Sequence, residues 1–146
     1  MSITLTENNK RLVLDILGYE FPGAEDDYFD ANWLNVGIRY DDGNLSFHQI
    51  DSCLLAFELE ELTETLDAIL EGRETGMATD FMEPYLTFAV TRTGERFDVQ
   101  LRFVYDTGSP WKEVCVCQEM DLRELADLNI ELKKMYARFP RRDGKG

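Results

Sequence analysis

Three features of the sequence predict an α+β fold, with one mostly antiparallel sheet of about six strands and two helices packed on one face. Apolar and polar residues alternate in six short runs. Two longer segments carry apolar residues at helical spacing. Strand and helix signals recur in the same order in both halves, as a βββα plan used twice.

The first unit spans residues 11–72. Residues 11–17 read as a strand, and 33–40 set Leu34, Val36, Ile38 and Tyr40 on one face of a second. Asp41-Asp42-Gly43-Asn44 carries turn chemistry, and 45–50 return as the hairpin partner. Asp51 or Ser52 is the expected cap of a helix whose stripe is Leu55, Leu59, Leu62, Leu66, Ile69 and Leu70, with Gly72 as its stop. Glu58, Glu60, Glu61, Glu64, Asp67 and Glu71 fall largely off that stripe and read as its solvated face.

The second unit spans residues 85–140. Strands are expected over 85–91, 97–105 and 111–119, with turns at Thr93-Gly94-Glu95 and Asp106 to Pro110. Asp121 with Glu124 forms a capping box for a last helix, striped by Leu122, Leu125, Leu128, Leu132, Met135 and Tyr136. The units correspond most closely where Tyr40-Asp41-x-Gly43 matches Tyr105-Asp106-x-Gly108; a preference of any hairpin for Asp and Gly is the alternative explanation. The stretch 72–83 is read as a connector too short for a domain linker, and the tail 141–146 as frayed.

At 146 residues, 44% hydrophobic and 12% aromatic, the chain is expected to fold as one domain, residues 1–146, with an ordinary core. No apolar run reaches the roughly 18–20 residues of a membrane span, and residues 1–7 lack the pattern of a signal peptide, so a cytoplasmic location is expected. Cys53, Cys115 and Cys117 give no disulfide framework and read as small buried hydrophobes.

Charge carries more information. The net charge is −14, and residues 1–82 hold 18 acidic against 4 basic side chains, while 83–146 hold 11 of each. The whole excess lies in the first half. Such a field repels nucleic acid and anionic membranes and attracts a basic protein partner, although acidity also serves solubility alone.

Catalytic signatures are missing from the sequence. His48 is the only histidine, and it sits mid-strand beside Phe47, which leaves a Ser-His-Asp or Cys-His mechanism without a plausible base. No phosphate loop, zinc spacing or calcium loop is present, so neither a cofactor nor a metal is expected, and the chain reads as a binding protein rather than an enzyme. Its candidate recognition segment is the loop 23–32, where Glu25, Asp26, Asp27 and Asp30 surround Tyr28 and Phe29. Aromatic anchors supply binding energy and acids orient encounter. The expected partner surface is Glu25, Asp26, Asp27, Tyr28, Asp30, Asp41, Asp42, Glu58 and Glu61. The helix acids join the hairpin acids only if the helix starts beside that end of the sheet.

Three stretches together carry a family resemblance: Phe21-Pro22; Asp26-Asp27-Tyr28-x-Asp30-x-Asn32-Trp33-Leu34; and Ser52-Cys53-Leu54-Leu55-x-Phe57-Glu58-Leu59. With the closing Phe139-Pro140-Arg141, they resemble the WapI family of bacterial immunity proteins over roughly residues 12–142. The resemblance implies a cytoplasmic antidote to the C-terminal toxin domain of a large secreted protein; the family's namesake toxins are similar to nucleases acting on transfer RNA, an activity that the cognate toxin need not share. It assigns no contact residues. Two other readings stay open: an acidic regulatory interaction domain, and an enzyme using sheet-edge carboxylates with a divalent metal.

Overall fold

Among the described residues, alternating β-branched and apolar side chains build eight strands rather than six. The computed structural model describes residues 2–24 and 26–143. In chain order these are β1 (Ser2–Glu7), β2 (Lys10–Tyr19), β3 (Trp33–Asp41), β4 (Ser46–Leu55), α1 (Ala56–Leu70), β5 (Gly76–Ala78), β6 (Leu86–Thr93), β7 (Arg96–Asp106), β8 (Lys112–Met120) and α2 (Leu122–Arg138). They form two antiparallel four-stranded sheets, ordered β1-β2-β3-β4 and β5-β6-β7-β8. The expected six-stranded sheet of two βββα units is therefore corrected to two sheets, each unit being ββββα.

The two added strands have different origins. β1 places Ile3 and Leu5 in the core, and the two-residue loop Asn8-Asn9, with Asn8 at φ 54°, joins it to β2. Asparagine tolerates that left-handed conformation, which suits a tight hairpin. β5 lies inside the stretch read as a connector. Gly76 allows its backbone to approach β6 so closely that a Cβ there would lie 2.9 Å from the Val90 carbonyl oxygen.

The sheets meet at β1 and β8, where side chains replace a ladder. The Thr6 N–H donates to Gln118 Oε1 (2.8 Å), and the Cys117 N–H donates to Glu7 Oε1 (3.0 Å). Inward residues of both sheets and apolar faces of both helices make one core, including Leu12, Ile38, Leu59, Phe88, Leu101, Leu125 and Leu132. A fully buried leucine contributes on the order of 1.5–3 kcal/mol.

The Tyr-Asp-x-Gly repeat is structural. Asp41 Oδ1 accepts from the Gly43 N–H and Asp106 Oδ1 from the Gly108 N–H, each at 2.8 Å. The preceding tyrosines both stack on the same ring: the centroid of Tyr40 lies 5.5 Å and that of Tyr105 5.0 Å from Phe47. Each aspartate thus folds its hairpin tip, and the two tips close one end of the core together.

The helices depart from expectation at their edges. α1 starts at Ala56, because the buried Cys53, Leu54 and Leu55 continue β4, so neither Asp51 nor Ser52 caps it. Gly72, at φ 78°, ends it as expected. α2 has the expected box: the Glu124 N–H donates to Asp121 Oδ1 (2.8 Å), and the Asp121 N–H donates to Glu124 Oε1 (3.3 Å). Leu122, read as part of its apolar stripe, is exposed instead.

The supposed solvated face of α1 is partly interface. Glu60 accepts from the Tyr136 hydroxyl, and Asp67 accepts from Lys133 Nζ (2.8 Å) and Asn129 Nδ2 (3.0 Å), all on α2. Cys53 is buried, whereas Cys115 and Cys117 lie half-buried outside the core cluster. Among the described residues, no helix is long and apolar enough to cross a membrane.

Candidate functional site

The segment between β2 and β3 is a folded loop held from below. Its mouth closes through the Glu20 N–H, which donates to the Trp33 carbonyl (2.8 Å). Asp27 Oδ1 accepts from the N–H groups of Phe29 (2.8 Å) and Asp30 (3.1 Å), and the Ala31 N–H donates back to the Asp27 carbonyl. Asp27 therefore shapes the turn that presents its neighbours.

Asn32, fully buried, locks the loop to the C-terminus. Its Nδ2 donates to the carbonyls of Tyr28 (2.7 Å) and Arg142 (2.9 Å), and its Oδ1 accepts from the Arg142 N–H (2.9 Å). The Arg142 guanidinium continues the link. Nε donates to the Ala31 carbonyl (2.7 Å), Nη1 to Pro22 (2.8 Å) and Nη2 to Phe21 (3.0 Å), while the group lies 3.7 Å from the centroid of the Tyr19 ring. Burial raises the Tyr19 phenol pKa, partly opposed by the Arg142 charge. Residues 141–143 are thus a buckle rather than a frayed tail; Gly144, Lys145 and Gly146 lie outside the described residues.

Above this support sits an aromatic cluster. Tyr28 stacks flat on Phe57 of α1, with centroids 5.1 Å apart and planes 7° apart, and Phe29 meets Phe57 edge-on at 6.2 Å. Tyr28 remains 37% exposed and Phe29 43%, so part of each ring stays open to solvent. Asp26 and Asp30 are exposed on the same loop. Glu61, one helical turn from Phe57, shares its side of α1. Glu25 lies outside the described residues.

Three other predicted residues do not join this surface. Glu58 is only 8% exposed: Oε1 accepts from the Leu55 N–H (3.0 Å) and Oε2 from the Met82 N–H (2.8 Å). It supplies the start of α1 with a missing acceptor and faces inward, away from any partner. Burial raises its pKa, against the pull of those two N–H groups. Asp41 and Asp42 lie at the opposite end of β3, eight residues and about 26 Å from Trp33. α1 starts beside Trp33, which pairs with Leu55, so the helix acids belong to the loop end and not to the hairpin end.

Asp42 is also committed locally. Oδ1 accepts from the N–H groups of Leu45 (2.7 Å) and Asn44 (2.9 Å), and Oδ2 from the Tyr40 hydroxyl (2.9 Å). These bonds, the backbone ones foremost, lower its pKa. Tyr40 is pushed up to about 12, first by burial and then by its bond to Asp42 and by nearby Asp42, Asp41 and Glu7.

The sequence reading missed Phe57, Asn32 and Arg142 as parts of the site. Phe57 was visible as an aromatic residue off the leucine stripe of its helix. Nothing local marked Arg142, whose partners lie 111–121 residues earlier. Among the described residues, no group of three His, Cys, Asp or Glu side chains is arranged to hold a metal ion.

No curated protein matches the chain. One family model does, over residues 3–140, which is nearly its whole length. The match takes in nearly all of the ββββα repeat and the loop between β2 and β3, and the chain belongs to the immunity protein WapI-like family.

Proposed function

We propose that this protein is a cytoplasmic antidote that binds the toxin domain of a polymorphic secreted protein and blocks it by occupying its working surface. Membership of an immunity protein family carries the reading, since that class acts on toxins by binding them. The loop between β2 and β3 supports the reading. Tyr28, Phe29 and Phe57 offer exposed aromatic anchors, and Asp26, Asp30 and Glu61 surround them with negative charge. Asp27 and the Arg142 buckle set the loop before encounter, which lowers the entropy cost of ordering it on binding.

A nuclease is the toxin that this charge suits best. Such an enzyme holds RNA on a basic surface, and carboxylates at Asp26 and Asp30 would lie where phosphates otherwise sit. Inhibition is then occlusion at 1:1 stoichiometry, with no catalytic residue required. Glu58 has no part in this surface, and Asp41 and Asp42 would require a second contact at the far end of β3.

The test is titration against the toxin C-terminal domain encoded beside this gene, at low and high salt. Tight 1:1 binding that weakens with salt is expected. Asp26→Asn with Asp30→Asn should slow association several-fold, whereas Tyr28→Ala should mainly speed dissociation. Binding that ignores all three substitutions would remove the loop from the interface. Absence of binding to that domain would remove the toxin reading itself.

A further inference from the structure

Helix α1 carries acids on two flanks, and the chain supplies cations to only one of them. Toward α2, Arg141 Nη1 lies 3.4 Å from Glu60 Oε1, and Lys133 Nζ donates to Asp67 Oδ1 (2.8 Å). On the other flank Glu58, Glu61, Leu62 and Thr65 form one stripe at helical spacing, which faces residues 77–81 across a groove. The ion pairs among the described residues involve neither Glu61 nor Asp80. Between Arg39 and Arg92 the sequence holds one lysine or arginine, Arg73, and it pairs with Glu71 past the far end of the helix.

The groove exists because its far wall is pinned away from the helix. β5 is the outermost strand of its sheet and pairs only with β6. Beyond it, the Thr79 N–H donates to the Phe88 carbonyl and the Thr79 hydroxyl accepts from the Phe88 N–H, each at 2.9 Å. The Met82 N–H then donates to Glu58 Oε2 (2.8 Å), which returns the chain to the start of α1. Residues 77–81 are thus tied to β6 at one end and to α1 at the other, and about 280 Å³ stays open between.

Its lining combines apolar and acidic groups. Leu62, Met77 and Phe81 give it an apolar lining, while the exposed Glu61 and Asp80 stand on opposite walls. Glu58 lines it too, but both its oxygens already accept from backbone N–H groups. No lysine, arginine or histidine takes part in the lining. A long basic side chain fits such a groove, because its stem covers apolar surface while its charged head stays at the edge. A metal ion fits less well, since among the described residues no three acidic, histidine or cysteine side chains are arranged to hold one.

We propose that the groove between α1 and residues 77–81 receives an arginine or lysine side chain of a protein partner. The stem lies over Leu62, Met77 and Phe81, and the head reaches the carboxylates of Glu61 and Asp80. Glu61 stands one helical turn from Phe57, so a partner seated on the aromatic loop can reach the groove from there. Only the identity of that partner rests on the toxin reading; the preference of the groove for a basic side chain does not.

A surface of net charge −14 attracts cations widely, so the test must separate this position from the general field. It uses the intact protein and three capped pentapeptides, Ser-Val-X-Val-Ser, with arginine, citrulline or glutamate at X, followed through backbone amide shifts in NMR titrations. The arginine peptide should give saturable shifts centred on residues 58–65 and 77–81, and the glutamate peptide none there. Citrulline keeps the shape without the charge and should bind about tenfold more weakly. Glu61→Gln and Asp80→Asn should each weaken arginine binding about threefold, the scale of one exposed ion pair. Glu64→Gln removes the same charge from α1 outside the groove and should leave the affinity nearly unchanged. All three positions are exposed, so unchanged melting curves are expected of each variant. Equal weakening by Glu64→Gln and Glu61→Gln, equal response to the arginine and citrulline peptides, or no saturable shift at millimolar peptide would each overturn the proposal. Failure of the toxin domain to bind would leave the peptide result standing.

Discussion

Replacing Arg142 with alanine removes the buckle's side chain and leaves its backbone pairing with Asn32 in place, so the variant isolates one group. Three hydrogen bonds from a guanidinium to the carbonyls of Ala31, Pro22 and Phe21 are lost, along with the contact on Tyr19. Taken alone, each charge-assisted bond is worth about 1.5–3 kcal/mol, and a cation over an aromatic ring about 0.5–2 kcal/mol. Their sum overstates the effect. Arg142 is only half-buried, water reaches the freed carbonyls, and the Phe21 carbonyl keeps the Ala24 N–H as a partner. A net loss of about 2 kcal/mol is the reasoned value, equivalent to about 30-fold faster opening of the loop. Hydrogen exchange reads this directly at the Ala31, Asn32 and Trp33 amides, which donate within the loop. The melting temperature should fall by about 4–8 °C if the loop opens only with the whole fold, and by less if it opens alone. Arg142→Lys should recover only part of the protection, because an ammonium cannot reach three divergent carbonyls at once. Unchanged exchange at all three amides in the alanine variant would refute the idea that this side chain holds the loop.

Other expectations follow from groups whose partners are equally specific. Glu58→Ala leaves the Leu55 and Met82 N–H groups without their acceptor and should cost about 2 kcal/mol in urea unfolding near pH 4. Because the folded pKa of Glu58 is raised, the folded state holds its proton longer than the unfolded chain. Its contribution is therefore greatest below the ordinary glutamate value of 4.5 and declines as pH rises through the folded value, so the gap between wild type and variant should narrow upward; a gap widening with pH would contradict the assignment. Tyr40, held up to about 12, should resist ionisation in an ultraviolet titration until the fold yields, and stability should fall from pH 10 upward. Asn129→Asp puts a carboxylate, 2% exposed at this position, beside the Thr63 carbonyl and Asp67, and should cost about 3 kcal/mol or more at neutral pH by chemical denaturation.

Local pattern made much of the architecture legible. The turn at Asp41 to Asn44, the box of Asp121 with Glu124, the Gly72 stop and the repeated Tyr-Asp-x-Gly are decided within four or five residues, and each stands where the sequence places it. β1 is legible too, in the alternation of Ile3 and Leu5 ahead of the Asn8-Asn9 turn, although the six expected strands did not include it. The start of α1 was not. Asp51 and Ser52 are good caps, yet burial of Cys53, Leu54 and Leu55 carries the strand past them.

By itself the sequence determined the α+β class, the two-unit plan, the concentration of negative charge in residues 1–82 and the family resemblance that the match over 3–140 bears out. Those properties depend on composition, on spacings shorter than a helical turn or strand pair, and on short motifs. Only the tertiary structure decided that the units form two sheets bridged by Glu7 and Gln118, that Glu58 turns inward, and that Asp42 and Asp30 stand at opposite ends of β3. It also decided that Arg142 reaches back across more than a hundred residues to hold the loop. Each depends on which surfaces meet once the chain has collapsed, and a contact between distant residues leaves no periodic trace along the chain.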